Sequence, residues 1–368
     1  MSDDLQRPVL LAAGGTGGHL FPAEALAIAL RARGRRVELA TDSRALKYGA
    51  AFPADAIHAI PSATPSGGRI LGQLKAGLIL CRGVLAARSL IKAIKPAAIV
   101  GFGGYPTVPP LLAGQSAGYV TIIHEQNAVL GRANRFLSAR ATAIALGFPV
   151  LAKATSEVLA KSTHIGNPVR PAVIAAEKTS FVDPGEDGPI EILVTGGSQG
   201  ARVMSDIVPP AIEAIPGDRR ARLRITQQAR PEDLQRVRDF YARLGVAATV
   251  EAFFNDLPQR MAAAHLVIAR AGASTVSELA VIGRDSILVP LPGALDQDQA
   301  ANAAILAANG AATVIAQSDF SPARLAAEIG QRLDNPGAMR YAADAARSVG
   351  VPDAAERLAE FVIGLARF

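Results

Sequence analysis

A glycine-rich loop that occurs twice constrains the fold of this chain more than any other feature. The first copy, Gly14-Gly15-Thr16-Gly17-Gly18-His19, follows the apolar run Val9–Ala13 and precedes a helical pattern that opens at Pro22. The second copy, Gly196–Ala201, follows the apolar run Ile192–Thr195. Glycine lets backbone amides approach a ligand closely, and the start of a helix offers unpaired N–H donors to an anion. Each copy therefore predicts a strand, a phosphate-binding loop and a helix.

The length of the chain and the position of the repeat predict two domains. The 368 residues exceed the size at which a single core usually stops growing, and half of them are hydrophobic, which is enough for two cores. The turn-rich segment Gly166–Pro171 is typical of a linker. We expect one domain over residues 1–166 and a second over residues 167–351, with a last helix over residues 352–368 beyond the final strand.

Apolar runs alternate with helical patterns through both halves, which predicts an α/β fold with a doubly wound parallel sheet in each domain. The strands predicted in the first half lie at residues 9–13, 37–41, 98–101, 120–123, 142–145 and 163–165. Those predicted in the second half lie near residues 191–195, 222–226, 248–251, 266–269, 286–289 and 312–315. Two such domains facing each other are expected to form a cleft with the glycine-rich loops at its edges.

Positive charge is concentrated in the first half. Residues 1–166 hold 18 Lys and Arg against 8 Asp and Glu, whereas residues 167–368 hold 20 against 24. No acidic residue lies between Asp55 and Glu125, so this surface is expected to meet an anion. A helical segment in this stretch runs to Lys95, with an expected bend or break near Gly83. One face of that segment carries Leu71, Leu74, Leu78 and Leu85, with Lys75 and Arg82 beside it.

A leucine face bordered by basic residues indicates a helix that lies in a membrane interface beside anionic headgroups. The alternative is a buried amphipathic helix, because leucines at this spacing often belong to a core. No apolar run reaches the roughly 18 residues that span a bilayer, and the start Met1-Ser2-Asp3-Asp4 lacks the positive charge of a signal peptide. The single cysteine, Cys81, is expected to pack in the core of a cytoplasmic protein. We expect no nucleic-acid partner.

Three further motifs follow predicted strands at the edge where open α/β sheets place their ligands. Gly101–Thr107 is another glycine-rich turn with a helix behind it. His124-Glu125-Gln126-Asn127 sets four polar residues after a strand, which favours a functional role over an ordinary loop. Arg270–Glu278 puts two hydroxyl residues in the first turn of a helix, which suits a diphosphate. Glu278 lies one turn further on, where a carboxylate can accept both hydroxyls of a ribose.

Six motifs in this order resemble the MurG family of bacterial glycosyltransferases over almost the whole chain. They are Gly14–His19, Gly103-Gly104-Tyr105, His124–Asn127, Gly166-Asn167-Pro168-Val169-Arg170, Gly196–Ala201 and Arg270–Glu278. The resemblance implies the GT-B architecture, in which two Rossmann-like domains face each other across the active site and a C-terminal helix returns to the first domain. It implies an inverting transfer of N-acetylglucosamine (GlcNAc) from UDP-GlcNAc to the 4-hydroxyl of the muramoyl sugar of lipid I. The product is lipid II, a precursor of peptidoglycan.

The resemblance also implies partners, a location and roles for residues. The implied donor is UDP-GlcNAc, and the implied acceptor is undecaprenyl-diphospho-MurNAc-pentapeptide, or lipid I. The enzyme would meet this acceptor at the cytoplasmic face of the inner membrane. Cell-wall assembly proteins are implied as further partners. No cofactor is implied. The implied roles are the diphosphate region for Thr16, Gly17 and Gly18, the transferred sugar for Asn127, the uracil for Arg170 and the backbone near Phe254, phosphate for Ser198, diphosphate and sugar for Ala273, Ser274 and Thr275, ribose for Glu278, and GlcNAc hydroxyls for Gln299.

His19 is the residue that we interpret as the general base, because an imidazole has a pKa near neutrality and this one ends a phosphate loop. The alternative is that His19 only positions a phosphate or caps the loop, and Glu125 is then the second candidate for the base. Asp296-Gln297-Asp298 matches the Asp-x-Asp pattern that holds a divalent metal in other glycosyltransferases. We expect no metal here, since loop amides and helix N-termini can stabilise the departing UDP.

Three other functions compete with the glycosyltransferase prediction. A UDP-GlcNAc epimerase can share the fold and the donor site, but it needs no basic, leucine-flanked surface. A nicotinamide-dependent oxidoreductase is disfavoured because Leu20 stands where the third glycine of Gly-x-Gly-x-x-Gly is required, and because a second glycine-rich loop opens the other half. A membrane-binding module without catalysis would leave His124–Asn127 without a use.

Overall fold

A computed structural model describes residues 7–14, 17–42, 52–63, 70–197, 200–293 and 297–368, with the backbone alone at residues 17 and 70–75. The chain divides into two compact units. The first comprises Met1–Arg170 together with Pro352–Phe368, and the second comprises Pro171–Val351. No helix within the described ranges is both long enough and apolar enough to cross a membrane.

The first unit is built on a seven-stranded parallel sheet with the order β3-β2-β1-β4-β5-β6-β7. Its strands are β1 (Val9–Ala12), β2 (Val37–Thr41), β3 (Ala56–Ala59), β4 (Ala98–Gly101), β5 (Thr121–Glu125), β6 (Ala143–Leu146) and β7 (Ser162–His164). Six of them were predicted to within about two residues at each end. Strand β3 was not predicted, because His58 interrupts its four residues and leaves no continuous apolar run.

Helices cover both faces of this sheet. They are α1 (Gly17–Ala32), α2 (Ile70–Ile94), α3 (Val108–Ser116), α4 (Arg132–Ser138), α5 (Ser156–Leu159) and, from the C-terminus, α15 (Ala354–Leu365). Leu358, Ala359 and Val362 of α15 pack into the cluster that contains Leu26 and Leu30 of α1. Helices α2 to α5 pack on the opposite face of the sheet.

Three expectations for these helices were wrong. Helix α1 begins at Gly17 and not at Pro22, because its first turn consists of glycines and His19, which give no apolar period. Helix α2 continues through Gly83 without the expected break. A side chain at Gly83 would overlap the carbonyl oxygen of Pro61, so the glycine allows a close contact between α2 and that segment. Cys81 is exposed on α2 and does not pack in the core.

The second unit is built on a six-stranded parallel sheet with the order β10-β9-β8-β11-β12-β13. Its strands are β8 (Ile190–Thr195), β9 (Leu223–Gln228), β10 (Ala247–Glu251), β11 (Leu266–Ala269), β12 (Asp285–Leu288) and β13 (Ala312–Val314). Its helices are α6 (Pro171–Glu177), α7 (Arg202–Glu213), α8 (Gly217–Arg220), α9 (Leu234–Leu244), α10 (Leu257–Ala263), α11 (Ala273–Ile282), α12 (Asp298–Ala307), α13 (Pro322–Asp334) and α14 (Pro336–Ser348). All six strands were predicted.

The two sheets share one topological feature that places their ligands. In each sheet the chain first adds strands on one side of the opening strand and then returns to the other side, so the order reverses between β1 and β4 and between β8 and β11. Ligands of open α/β sheets bind beyond the carboxyl ends of the strands at such a switch point. The loops that follow β1, β4, β8 and β11 are therefore the expected ligand-binding loops.

Candidate active site

The two loops at the switch point of the first unit pack directly against each other. A Cβ at Gly14 would lie 3.0 Å from Cβ of Pro106 and 3.1 Å from Oγ1 of Thr41, so any side chain at this position would require Pro106 and Thr41 to shift. The hydroxyl of Thr107 donates to the Gly103 carbonyl at 2.6 Å and approaches the Ala12 carbonyl at 3.3 Å. These contacts fix the loop after β4 against the end of β1. Thr16 lies outside the described residues.

The imidazole of His19 lies against the second of these loops. A Cβ at Gly103 would be 3.5 Å from Nε2 of His19, and a Cβ at Gly104 would be 3.5 Å from Cε1 of the same ring. Both glycines have positive φ values, +87° and +73°, a conformation that side chains rarely adopt. Burial lowers the pKa of His19 below its usual value, so the imidazole is neutral at pH 7. A neutral imidazole can accept a proton.

Glu125 is the last residue of β5, two residues beyond the predicted end of the strand, and its carboxylate organises the chain that follows. It accepts hydrogen bonds from the N–H groups of Asn127 and Gly131, each at 3.0 Å, and from Nδ2 of Asn134 at 2.8 Å. Burial raises the pKa of Glu125, while these donors oppose the shift. The side chain is 2% exposed. This geometry suits a residue that positions the loop carrying Asn127 better than one that exchanges protons with a substrate.

Asn134 was not singled out from the sequence, because nothing in its helical context distinguishes it. Its side chain is 3% exposed, and its Nδ2 would lie 3.4 Å from a Cβ of Gly103, close to the ring of His19. The amide therefore joins the carboxylate of Glu125 to the glycine loop. Only tertiary structure brings these residues together.

His124 and Gln126 hold the neighbouring segments in place. Nε2 of His124 donates to the Gly166 carbonyl at 3.0 Å, and burial lowers the pKa of this fully buried ring to about 4. Gln126 donates to the Phe102 carbonyl at 2.9 Å, and Asn167 donates to the Gln126 carbonyl at the same distance. The motif therefore fastens the segment before Arg170 to the loop after β4.

Arg170 is the last residue of the first part of this unit, and its guanidinium lies over the ring of Phe21 at 4.7 Å from the centroid. Phe21 belongs to α1, which also carries Glu24. Burial raises the pKa of the half-buried Glu24, and the charge of Arg170 opposes that shift. The guanidinium of Arg170 is therefore held against α1, the helix that follows the first glycine loop.

The second unit repeats the arrangement. Gly197 and Gly200 of the loop after β8 have φ values of +85° and +66°, at which a residue with a side chain would be strained. A Cβ at Gly196 would overlap the backbone of Ala201. Ser198 lies outside the described residues. The loop after β11 ends at Gly272, the extended residue before α11, so the first N–H groups of α11 have no partner within the helix.

Residues of α11 occupy the positions that the sequence predicted. Ala273, Ser274 and Thr275 form the first turn, and Glu278 follows one turn later with a side chain that is 6% exposed. Arg270, just before the helix, donates to the carbonyls of Val289 and Pro290 and to the Gln317 side chain, so it joins the segments that follow β12 and β13. The N-terminus of α11 thus remains available for an anion.

Gln299 braces the same loop from α12. Its Oε1 accepts from the N–H groups of Leu291 at 3.0 Å and Ala271 at 3.3 Å. Asp298, in the first turn of α12, accepts from the N–H of Gln299 at 2.9 Å, whereas Asp296 lies outside the described residues. Within the ranges given above, no three His, Cys, Asp or Glu side chains form a group that could hold a metal.

Two aromatic residues follow β10 with opposite exposure. Phe254 is buried, with the guanidinium of Arg260 over its ring at 4.5 Å, whereas the neighbouring Phe253 is 63% exposed. Phe254 alone was predicted as a site residue, because exposure cannot be read from two adjacent phenylalanines.

Two family models match the chain. The one described as the glycosyltransferase family 28 N-terminal domain matches residues 9–146, and the one described as the family's C-terminal domain matches residues 191–358. A protein of Methylobacterium sp. (strain 4-46) is 58% identical over 356 residues, which are 96% of this chain and 96% of that protein. It is named UDP-N-acetylglucosamine--N-acetylmuramyl-(pentapeptide) pyrophosphoryl-undecaprenol N-acetylglucosamine transferase.

Solved structures share the fold over nearly the whole chain. The crystal structure of Acinetobacter baumannii MurG matches with a TM-score of 0.76 and 30% identity, covering 97% of this chain and 99% of that one. The UDP-GlcNAc 2-epimerase from Neisseria meningitidis matches with a TM-score of 0.67 over 97% of this chain and 100% of that one. At 12% identity the second likeness concerns the fold alone.

Proposed function

We propose that this chain, which belongs to glycosyltransferase family 28, transfers GlcNAc from UDP-GlcNAc to lipid I and so forms lipid II. The prediction of a GT-B glycosyltransferase family from sequence is confirmed. The donor and the acceptor are those in the name of the Methylobacterium relative. Attack by the 4-hydroxyl of the muramoyl sugar and inversion at the anomeric carbon follow from the resemblance of the motifs.

The observation that carries the proposal is the presence of two switch points of the same design, one in each unit. Each sets a glycine-rich loop after its opening strand beside a loop that leads into a helix. Such a place suits a diphosphate. The proposed reaction has two substrates with diphosphates, UDP-GlcNAc and the polyprenyl-linked acceptor, whereas an epimerase handles a single nucleotide sugar.

We assign the donor to the second unit. The N-terminus of α11, with Ser274 and Thr275 in its first turn, would receive the diphosphate, and Glu278 would accept the ribose hydroxyls. The backbone near Phe254 would hold the uracil, and Gln299 would meet the sugar through the amide NH₂ group, because its oxygen already accepts two backbone hydrogen bonds. Ser198 and the loop after β8 complete this assignment.

We assign the acceptor and the proton transfer to the first unit. His19 would take the proton of the 4-hydroxyl while the hydroxyl oxygen bonds to the anomeric carbon, and the bond from that carbon to UDP breaks. UDP leaves with the electron pair, stabilised by the N–H groups of α11. Support for His19 comes from its neutral ring, which lies against Gly103 and Gly104 of the loop after β4. Glu125 would position Asn127 for the transferred sugar.

We propose that α2 holds the enzyme on the membrane that contains the acceptor. Leu78 and Leu85 are 57% and 64% exposed, and Arg82 is exposed beside them, whereas Ala87 and Ile91 on the opposite face pack in the core. The side chains of Leu71, Leu74 and Lys75 lie outside the described residues. An exposed leucine face with basic neighbours supports peripheral binding to anionic lipids at the cytoplasmic face of the inner membrane.

The function is tested with radiolabelled UDP-GlcNAc and a lipid I analogue. The proposal predicts that label enters the lipid-extractable fraction only when both substrates are present, with one UDP released for each sugar transferred. An epimerase would convert UDP-GlcNAc into a second nucleotide sugar without an acceptor and would leave the lipid unlabelled.

A further inference from the structure

The amide of Gln228 lies between the glycine-rich loop of the second unit and the segment after β10. Gln228 is the last residue of β9 and is 6% exposed. Its Oε1 accepts a hydrogen bond from the Thr195 hydroxyl at 3.0 Å and one from the Gly196 N–H at 3.2 Å, while its Nε2 donates to the Ala252 carbonyl at 3.2 Å. One side chain therefore ties the start of the loop to the chain that leads to Phe253.

The loop is held at both ends by residues at the end of β9 and just after it. The Thr195 hydroxyl, fixed by Gln228, accepts from the N–H of Gly197 at 3.4 Å. At the other end, the guanidinium of Arg230 donates to the Gly200 carbonyl at 3.3 and 3.4 Å. Glycines with positive φ have much conformational freedom, so their N–H directions depend on such external bonds.

We propose that Gln228 is a positioning residue for the donor diphosphate, acting through Thr195 and Gly196 rather than by touching the donor. This inference rests on the proposed function, because it requires that the loop after β8 faces UDP-GlcNAc. It explains why an amide stands here. A carboxylate could accept from Thr195 and Gly196, but it could not donate to Ala252 and would bring negative charge towards a diphosphate. An apolar side chain would leave buried polar groups without partners.

The adjacent Gln227 provides a matched control. It is fully buried, and its Oε1 accepts from the Tyr241 hydroxyl at 2.6 Å while its Nε2 donates to the Met204 carbonyl at 3.4 Å. This amide serves the core, and its two bonds go to Tyr241 and Met204 rather than to the glycine loop. Gln227→Leu and Gln228→Leu are the same chemical change on neighbouring residues, so the comparison separates a loss of stability from a loss of positioning.

The experiment is calorimetric titration of the full chain with UDP and with uridine, which lacks the diphosphate, alongside measurement of Tm. We expect Gln228→Leu to weaken UDP binding about tenfold and uridine binding much less. Gln227→Leu should lower Tm at least as much while the Kd for UDP stays within about twofold of wild type. Gln228→Glu should bind UDP poorly at about pH 8 and recover, relative to wild type, as its carboxyl becomes protonated and can donate to Ala252.

Several outcomes would overturn the inference. Unchanged UDP affinity in Gln228→Leu would do so, as would equal losses for UDP and uridine or an equal loss of UDP in Gln227→Leu. If Gln228→Leu does not fold, the pH dependence of Gln228→Glu decides, and a flat profile refutes the role. A wild-type chain that does not bind UDP would overturn the donor assignment together with this inference. A wild-type chain that binds UDP and transfers GlcNAc, with unaffected Gln228 variants, would overturn this inference alone.

Discussion

The Nε2 atom of His19 lies 3.5 Å from the point that a Cβ of Gly103 would occupy, so the imidazole rests against bare backbone. His19 stands in the first turn of α1, after the glycine loop of β1, and Gly103 stands in the loop after β4. The two loops at one switch point therefore hold the group that we propose as the base. The imidazole of His19 thus lies against Gly103, which the sequence alone identifies only as part of a glycine-rich turn.

Gly103→Ala should reduce transfer far more than a matched substitution elsewhere. Both Gly103 and Gly118 have positive φ, +87° and +76°, so alanine costs about 1–2 kcal/mol of stability at either position. A Cβ at Gly118 meets nothing within 4 Å, whereas a Cβ at Gly103 would touch the ring of His19 at the ordinary contact distance of 3.5 Å. A backbone shift that relieves the strained φ at Gly103 would therefore move an atom in contact with that ring. We expect similar losses of Tm and roughly a tenfold lower kcat for Gly103→Ala alone. Equal kcat values in the two variants would show that the contact does not matter for catalysis.

His19→Ala should lower kcat by about 10² to 10⁴ while UDP affinity stays near wild type, because general-base catalysis is lost and donor binding is not. Stopped-time transfer assays and calorimetry measure the two quantities. Near-normal turnover would remove His19 as the base. A loss of UDP affinity instead would assign it the role of positioning a phosphate.

The rate should also depend on pH in a direction set by the same group. Burial lowers the pKa of His19, and a base acts in its deprotonated form, so kcat should rise with pH and reach its plateau below the range expected for an exposed histidine. In His19→Ala this acidic limb should disappear. An acidic limb that persists unchanged in the variant would point to another group, with Glu125 the first to examine.

Glu278→Ala should weaken UDP-GlcNAc binding by about 1–3 kcal/mol, the cost of leaving hydrogen bonds to a charged group unmade. A ligand series sharpens the test, because the variant should lose little affinity for a 2′,3′-dideoxyuridine diphosphate that lacks both ribose hydroxyls. If the loss is the same for both ligands, Glu278 does not contact the ribose.

The sequence predicted the elements that depend on local pattern and missed those that depend on tertiary contact. Short apolar runs between turn residues indicated twelve of the thirteen strands in the described residues. Glycine-rich stretches marked three of the four switch-point loops, and two of these loops hold glycines with positive φ. In contrast, the amides of Asn134 and Gln228 lie in ordinary helical or strand patterns, and only the packed structure brings them to the loops. Similarly, a leucine stripe cannot reveal exposure, which the structure gives for Leu78 and Leu85.

The double variant Lys75→Glu with Arg82→Glu should bind anionic vesicles more weakly and show a higher apparent KM for membrane-embedded acceptor. Each basic residue near such a surface contributes about 1 kcal/mol, and salt screens the attraction over a Debye length of about 10 Å. Activity on a short-chain acceptor in solution should be spared. Lys178→Glu with Arg340→Glu makes the same change in charge on exposed residues of the second unit and is the control. Equal vesicle binding by the two double variants at low salt would place the membrane contact elsewhere.

The most direct measurement of the central claim is the structure of the lipid product made from UDP-GlcNAc and a lipid I analogue. Mass spectrometry and NMR of that product report how many sugars are added, at which hydroxyl, and with which anomeric configuration. The account predicts a single GlcNAc in β linkage to the 4-hydroxyl of the muramoyl sugar. A product with α linkage, attachment at another position, or an unmodified acceptor beside an epimerised nucleotide sugar would contradict it.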